Sequence, residues 1–218
     1  MNGDLFAAFE HARRPTVETI MDGVVWLRAF AEHDSAALMQ AIGLVLQQAP
    51  LRQMQTPGGY TMSVATSNCG ALGWVSDRRG YRYQGDDPLA AQPWPKMPPV
   101  FATLATRAAA AAGFAGFEPD ACLINRYIPG ARMSLHQDKN ERDMRQPIVS
   151  VSLGLPATFL FGGNQRGDKT VRMLLESGDV VVWGGPARLR FHGVNTVAEG
   201  EHDLTGRCRI NLTFRRAG

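Results

Sequence analysis

The pattern of hydrophobic and polar residues predicts two helices in the first half of the chain. Leu38, Ile42 and Val45 recur at helical spacing within residues 35–49 and would form the buried face of the first helix. The second helix is predicted over residues 99–113, which begin with Pro and end with Gly.

From about residue 120 onward the pattern changes to the two-residue period of a β-strand. In residues 148–155, Val149, Val151 and Leu153 alternate with Ser and Gly, so one face of this strand is apolar. Similar short runs follow at 157–163, 178–185 and 208–215. Short strands without helices between them favour a sandwich or a barrel over a parallel βαβ fold.

Residues 50–99 differ from both halves because they are rich in Gly, Pro and aromatic side chains. This composition predicts short strands and irregular loops. The chain shows no fixed-period repeat and no clear linker. We therefore expect its 218 residues to form one compact unit with an N-terminal elaboration.

Composition narrows the class of protein. The chain is 44% hydrophobic and 20% charged, as is ordinary for a globular protein, and no apolar run approaches the ~20 residues of a membrane span. Its start lacks the basic-then-apolar pattern of a secretory leader. Three scattered cysteines without a C-x-x-C pair predict reduced thiols, and hence a cytoplasmic protein. A net charge of +3 is compatible with a polyanionic partner without being evidence for one.

The stretch MSLHQDKN, residues 133–140, contains a candidate metal site. If it is a strand, His136 and Asp138 lie on one face with Cα atoms about 7 Å apart, near enough to share an ion. The alternative is a polar strand face exposed to water. His192 would complete the two-His, one-carboxylate set that suits non-haem Fe(II). Since a lone His beside a strand is more often a bystander, the set gains weight only from a cosubstrate site.

The last predicted strand, RINLTFR, offers such a site because its apolar residues alternate with Arg209, Asn211 and Arg215. A solvent-facing polar stripe is the usual interpretation for an antiparallel strand. The alternative is a pair of inward guanidinium groups separated by about 6–8 Å, a gap that fits a short dicarboxylate. Asn125 and Tyr127, two apart in CLINRYIPG, would either hydrogen-bond an organic acid or cap a strand end.

Together these motifs resemble the bacterial AlkB-type Fe(II)/2-oxoglutarate-dependent dioxygenases. The resemblance extends from about residue 50 to the end and rests on TPGGYTMSVATSNCG, GYRY, PDACLINRYIPGARMSLHQDKN, PIVSVSLGLPATFLFGG, GDVVVWGG, FHGVN and RCRINLTFR. It implies a mostly β fold with flanking helices, built on a double-stranded β-helix, or jelly-roll, core. That core would span 96–218, preceded by a nucleotide-recognition lid over 50–95 and an N-terminal extension and helix over 1–49.

The resemblance also implies roles for individual residues. Three would hold Fe(II) and form the catalytic centre: His136, Asp138 and His192. Five would bind 2-oxoglutarate. Asn125 and Arg215 would lie near its iron-chelating carboxylate, and its distal carboxylate would be bound by Arg209 with help from Tyr127 and Asn211. Six would contact the nucleic acid: Trp74, Tyr81, Arg82, Tyr83, Asn140 and Arg166.

Within the nucleic-acid set, Trp74 would stack on the target base and Arg166 would reach it. Tyr81, Arg82 and Tyr83 would grip a backbone phosphate. The alternative for these aromatic residues is ordinary packing of a loop-rich segment. Because a base inside a duplex cannot reach the iron, the substrate would be single-stranded or flipped out of the duplex.

The implied activity is oxidative demethylation of N-alkylated bases in DNA, with RNA as a second substrate, by a monomeric enzyme. It would consume O2 and 2-oxoglutarate and release formaldehyde, succinate and CO2. Asn140 stands where close relatives carry Asp, and so we expect a weaker preference for cationic lesions. Three alternatives stay open: a dioxygenase acting on modified tRNA bases or a protein side chain, a cupin-like metal-binding module, and a zinc hydrolase using the same ligands.

Overall fold

The structure is a computed structural model that describes residues 15–218. Residues 1–14, the start of the predicted N-terminal extension, lie outside this range. The two α-helices of the described part are α1 (Ser35–Gln48) and α2 (Pro99–Ala111). Its strands are β1 (Thr16–Met21), β2 (Val24–Arg28), β3 (Arg52–Gln55), β4 (Thr61–Gly70), β5 (Gly73–Asp77), β6 (Gly80–Gln84), β7 (Asp86–Asp87), β8 (Gln92–Pro93), β9 (Ala121–Tyr127), β10 (Met133–His136), β11 (Ile148–Gly154), β12 (Ala157–Phe161), β13 (Val171–Leu175), β14 (Val180–Trp183), β15 (His192–Val194) and β16 (Arg209–Arg215).

Two antiparallel sheets form the body of the protein. The large sheet has eight strands in the order β1-β2-β14-β11-β16-β9-β4-β3, and the small sheet has four in the order β10-β15-β12-β13. Two further pairs, β5 with β6 and β7 with β8, stand apart from them. This mostly β jelly roll with flanking helices confirms the expected fold class.

Two apolar cores arrange these elements in three layers. In the first core, Val149, Val151 and Leu153 of β11 pack with residues of α1 and α2. In the second core, Trp183 of the large sheet packs with Phe159 and other residues of the small sheet. The large sheet therefore has helices on one side and the small sheet on the other. None of the described helices combines the length and the apolar character needed to cross a membrane.

The predicted helices and strands are confirmed, with ends that differ by a few residues. Both strands of the pair β3–β4 come from the segment expected to form the lid, yet they join the edge of the large sheet beside β9. The rest of the segment does not join the large sheet, and it begins with the β5–β6 pair. The domain boundary at residue 50 stays a prediction.

Candidate active site

A cavity of about 860 Å³ contains most of the residues singled out from the sequence. Its wall includes residues of the large sheet, the small sheet and the β5–β6 hairpin. Twelve of the predicted site residues line it: Trp74, Tyr81, Asn125, Tyr127, His136, Asp138, Asn140, Arg166, His192, Arg209, Asn211 and Arg215. Arg82 and Tyr83 are the two predicted site residues that are not in this lining.

The three predicted metal ligands converge at one end of the small sheet. His136 and His192 are direct partners across the antiparallel pair β10–β15. The Nε2 atom of His136 lies 3.7 Å from Oδ1 of Asp138, and the Nε2 atom of His192 lies 3.6 Å from Oδ2. One ligand atom from each residue falls within 4.8 Å of the other two, so a single ion could contact all three.

Two local features produce this convergence. β10 ends at His136, so Asp138 lies beyond the strand and not on it, as the strand interpretation had assumed. Gly193 lets β10 and β15 approach closely, because a Cβ atom at this position would lie only 2.7 Å from the carbonyl oxygen of Met133. A side chain there would push the two histidines apart.

The histidines are oriented for metal binding by backbone carbonyls. Nδ1 of His136 lies 2.9 Å from the oxygen of Ser134, and Nδ1 of His192 lies 3.1 Å from that of Arg190. Because a carbonyl oxygen can only accept, each Nδ1 carries the proton and each Nε2 keeps a free lone pair. Burial and the neighbouring His192 lower the pKa of His136 to about 4, so its ring is neutral near pH 7. His136 is thus in the form that binds a cation.

Asp138 supplies the negative charge of the site. Burial alone would raise the pKa of its carboxyl, but Arg215 and His192 outweigh burial and hold that pKa well below its usual range. The guanidinium of Arg215 donates from Nη2 and Nε to Oδ2, at 2.6 and 3.2 Å. One carboxylate and two imidazoles form a set that suits Fe(II) with open coordination positions.

The same cavity wall holds a buried cation for which residues 15–218 provide no anionic partner. Arg209 is 1% exposed, and among its side-chain nitrogens Nε and Nη1 have no hydrogen-bond partner. Its Nη2 donates to Ser152 Oγ at 3.0 Å, and its guanidinium lies 5.0 Å from the ring of Tyr127. Burial lowers the pKa of Arg209, which reflects the cost of the unpaired charge. Two unused N–H groups in a buried fork fit a carboxylate of 2-oxoglutarate.

The remaining cosubstrate candidates lie on β16 itself and on its neighbour β9. In the β16–β9 pair, Arg209 faces Tyr127 and Asn211 faces Asn125. Asn125 donates to Asn211 Oδ1 at 3.2 Å, and its own Oδ1 is buried without a partner. Arg209, Asn211 and Arg215 are all buried in the cavity wall, so the interpretation of their strand as a solvent-facing stripe is wrong.

The hairpin formed by β5 and β6 contributes two aromatic residues to the cavity wall. Trp74 and Tyr81 stack with ring centroids 5.5 Å apart and planes tilted by 14°. Trp74 is anchored by its backbone, which exchanges two hydrogen bonds with the side chain of Asn68 at 2.9 and 3.0 Å. Both residues line the cavity, where stacking on a base is expected of them.

Arg82 and Tyr83 have partners within the protein. Arg82 forms two hydrogen bonds with the carboxylate of Asp77 at 3.0 and 2.9 Å. Tyr83 donates its hydroxyl proton to Glu141 Oε1 at 2.7 Å. A phosphate would have to displace these partners, so the predicted phosphate contact of either residue has no support from its surroundings. Tyr81, which is 46% exposed, keeps that role as a prediction.

Asn140 and Arg166 lie at the cavity as expected. Asn140 is exposed, two residues beyond the ligand Asp138. Arg166 donates to the carbonyl oxygen of Leu135, and its guanidinium lies 5.1 Å from the ring of Phe191. These contacts hold Arg166 between β10 and the start of β15, and its predicted contact with a base stays a prediction.

Two charged residues that the sequence did not indicate also belong to the site. Glu141 and Arg188 have side chains only 2% and 3% exposed and lie 3.0 Å apart. Arg188 also donates to the backbone oxygen of Asp138 at 2.7 Å. Their positions, within the polar run KNERDMR and after a Gly-Pro turn, are typical of exposed loops and carried no signal of burial.

Comparison with known proteins places these features in a family. The family model described as "2OG-Fe(II) oxygenase superfamily" matches residues 23–215. The chain is 58% identical to "Alpha-ketoglutarate-dependent dioxygenase AlkB" of Escherichia coli over 215 residues, covering 99% of this chain and 98% of the relative. It is 35% identical to "Nucleic acid dioxygenase ALKBH1" of Mus musculus over 127 residues, 58% of this chain and 32% of that protein. A solved structure of OsALKBH1 superposes with a TM-score of 0.80 at 29% identity, covering 92% of this chain and all 100% of the other.

Proposed function

The chain belongs to the AlkB-type branch of the 2OG-Fe(II) oxygenase superfamily, and on this basis we propose that it repairs nucleic acids by oxidative removal of N-alkyl groups from their bases. It uses Fe(II), 2-oxoglutarate and O2. One observation supports the proposal above the others: a single cavity holds a His–Asp–His set, a buried arginine without an anion, and a stacked pair of aromatic rings at its wall.

The residues of the cavity fit these cofactors. His136, Asp138 and His192 would hold Fe(II) through atoms that already face one another. Arg209 would hold a carboxylate of 2-oxoglutarate, since its two unpartnered N–H groups need an acceptor. When bound, these groups supply the oxidising power to insert oxygen into an N-methyl C–H bond, and the resulting hydroxymethyl amine loses formaldehyde.

The protein itself binds and orients the substrate and excludes water from the reacting groups. Asp138 is the one carboxylate among the described residues that line the cavity, and five cations line it as well: Arg132, Lys139, Arg166, Arg209 and Arg215. Arg215 is paired with Asp138, but Arg132 and Lys139 are exposed and available to phosphates. An excess of positive charge attracts a polyanion, and it supports a nucleic acid as substrate.

The finer substrate class follows from the position of the ligands inside the cavity. His192 is 4% exposed, so a base stacked within a duplex could not approach the metal. We therefore propose single-stranded or flipped-out alkylated DNA as the substrate, with RNA as a second one. A monomeric, cytoplasmic enzyme completes the proposal, and the three free cysteines are compatible with a reducing compartment.

The test is formaldehyde release from a single-stranded oligonucleotide that contains 3-methylcytosine. We expect release with Fe(II) and 2-oxoglutarate together, and none when either is omitted. His136→Ala serves as the control for release that does not depend on the metal site. Turnover of a modified tRNA but not of the oligonucleotide would replace the proposed substrate by the tRNA alternative. Hydrolysis that needs zinc and no 2-oxoglutarate would favour the hydrolase, which has no use for the unpaired Arg209.

A further inference from the structure

Glu141 is a buried carboxylate that binds three partners and has no role in the function proposed above. Oε1 accepts a hydrogen bond from the Tyr83 hydroxyl at 2.7 Å, and Oε2 accepts one from Arg188 Nη2 at 3.0 Å. Nε of Arg215 lies 3.3 Å from Oε1. The carboxylate thus lies between two guanidinium groups and a phenol.

Both of these arginines also contact the metal ligand Asp138. Arg215 donates to its carboxylate at 2.6 Å, and Arg188 donates to its backbone oxygen at 2.7 Å. Each guanidinium is a rigid planar fork, so a second anchor on Glu141 fixes the direction in which it points at Asp138. Glu141 is therefore connected to Asp138 both through its side chain, by Arg215, and through its backbone, by Arg188.

Tyr83 extends this network to the hairpin. It lies on β6, opposite Trp74 on β5 in the antiparallel pair. Trp74 and Tyr81 of the same hairpin line the cavity, whereas Tyr83 is outside the lining and donates a hydrogen bond to Glu141. A chain of contacts accordingly runs from the hairpin through Tyr83, Glu141 and Arg215 to Asp138.

Stability alone is a weak reason for such a network. Four buried charges are costly to desolvate, and apolar residues of similar volume often stabilise a fold as well or better. Partners that orient a metal ligand, in contrast, change metal affinity strongly when they are removed. The concentration of these contacts on one ligand favours the second explanation.

We propose that Glu141 is a positioning residue of the metal site, which holds Arg215 and Arg188 on Asp138 and, through Tyr83, couples the β5–β6 hairpin to the bound metal. This proposal rests on the metal site assigned under the proposed function. Coupling is reciprocal: if the hairpin position affects metal affinity, then metal binding restrains the hairpin by the same free energy. Binding of the metal and 2-oxoglutarate would then order the β5–β6 hairpin, whose aromatic residues receive the base.

The first measurement is the affinity for Mn(II), a stand-in for Fe(II), by titration calorimetry with 2-oxoglutarate present. We expect Glu141→Gln to weaken binding about 10- to 100-fold, as is typical when a residue that orients a ligand is lost. Asp143→Asn is the matched control, because Asp143 is a carboxylate two residues further on that pairs with the exposed Arg145. It should bind Mn(II) as the wild type does.

The second measurement is amide hydrogen exchange of Gly80–Gln84 with and without Mn(II) and 2-oxoglutarate. In the wild type, adding both should slow exchange in this strand. Tyr83→Phe keeps the ring and removes one hydroxyl, so the variant should fold, and the metal-dependent slowing should disappear. Tyr60→Phe, a change at a tyrosine 78% exposed on another loop, should preserve the slowing.

The outcomes separate this proposal from the function on which it rests. Binding that is absent in the wild type, or unaffected by His136→Ala, would overturn the metal assignment and the coupling with it. His136-dependent binding that Glu141→Gln leaves within twofold would overturn the coupling alone. Should Glu141→Gln not fold, Tyr83→Phe decides: retained metal-dependent slowing overturns the coupling, and its loss supports it.

Discussion

Replacing Arg209 by Met should have opposite effects on the protein with and without its cosubstrate. The guanidinium is 1% exposed and leaves two N–H groups without partners, so its charge is not compensated in the absence of an anion. Burial of an uncompensated charge is costly. Met has a similar length and no charge, and so the variant without cosubstrate should be at least as stable as the wild type. With 2-oxoglutarate the order should reverse, because the variant has lost the groups that bind it.

The size of the effect follows from binding linkage. At a 2-oxoglutarate concentration of 100 times Kd, the ligand stabilises the wild type by about 2.7 kcal/mol. Loss of charge-assisted hydrogen bonds worth roughly 1.5–3 kcal/mol weakens binding about ten- to a hundredfold. At the hundredfold limit the same concentration equals Kd and contributes about 0.4 kcal/mol. For a protein of this size the rise in Tm should fall from about 5–11 °C to about 1–2 °C.

The assay is thermal unfolding with Mn(II) present, at several concentrations of 2-oxoglutarate. Arg207→Met is the matched control, since Arg207 precedes Arg209 by two residues and has a side chain that is 68% exposed. Its response to 2-oxoglutarate should equal that of the wild type. An equal rise in Tm for Arg209→Met and the wild type would refute the assignment of Arg209 to the cosubstrate.

Three further substitutions test other parts of the site. Asp138→Ala should abolish formaldehyde release while the chain still folds, because Arg215 keeps Glu141 as a partner; normal turnover with a wild-type circular dichroism spectrum would contradict the metal assignment. Trp74→Ala should lower lesion turnover but spare the decarboxylation of 2-oxoglutarate without substrate, and an equal loss of both rates would mean that Trp74 has a structural role. Asn140→Asp should raise kcat/KM for cationic 3-methylcytosine relative to neutral 3-methylthymine by about fivefold or more, since charges 4 Å apart attract by about 1 kcal/mol even in bulk water; an unchanged ratio would show that position 140 does not sense base charge.

Short-range patterns in the sequence predicted the elements and the side chains that alternate within them. The two-residue period placed Arg209, Asn211 and Arg215 on one face of β16, and the structure has all three in the cavity wall. It could not tell which face was buried, because the cavity side of the sheet is polar. Only the combination with His136 and His192 favoured the inward orientation.

Contacts between distant segments could not be predicted from those patterns. The ion pair of Glu141 with Arg188 joins residues 47 positions apart, and the hydrogen bond from Tyr83 to Glu141 joins residues 58 apart. Each partner lies in a polar stretch that is ordinarily exposed. The same limit applies to the expected contact of Tyr83 with a phosphate. The sequence shows that Tyr83 is two residues from Tyr81, but it does not show the hydrogen bond from Tyr83 to Glu141.

The residues for chemistry and the aromatic residues for stacking are attached to different parts of the architecture. Arg209 and Asn211 belong to β16, an interior strand whose other face packs in the helix-backed core, whereas Trp74 and Tyr81 belong to a two-stranded hairpin outside both main sheets. Changes in the hairpin can therefore accumulate at little cost to folding, while changes in β16 affect the core. During divergence, or in directed evolution, changes in how a base is stacked should arise first in the hairpin, with an unaltered oxidation reaction. The exception is Tyr83, the hairpin position at which we expect a substitution to change the metal affinity as well.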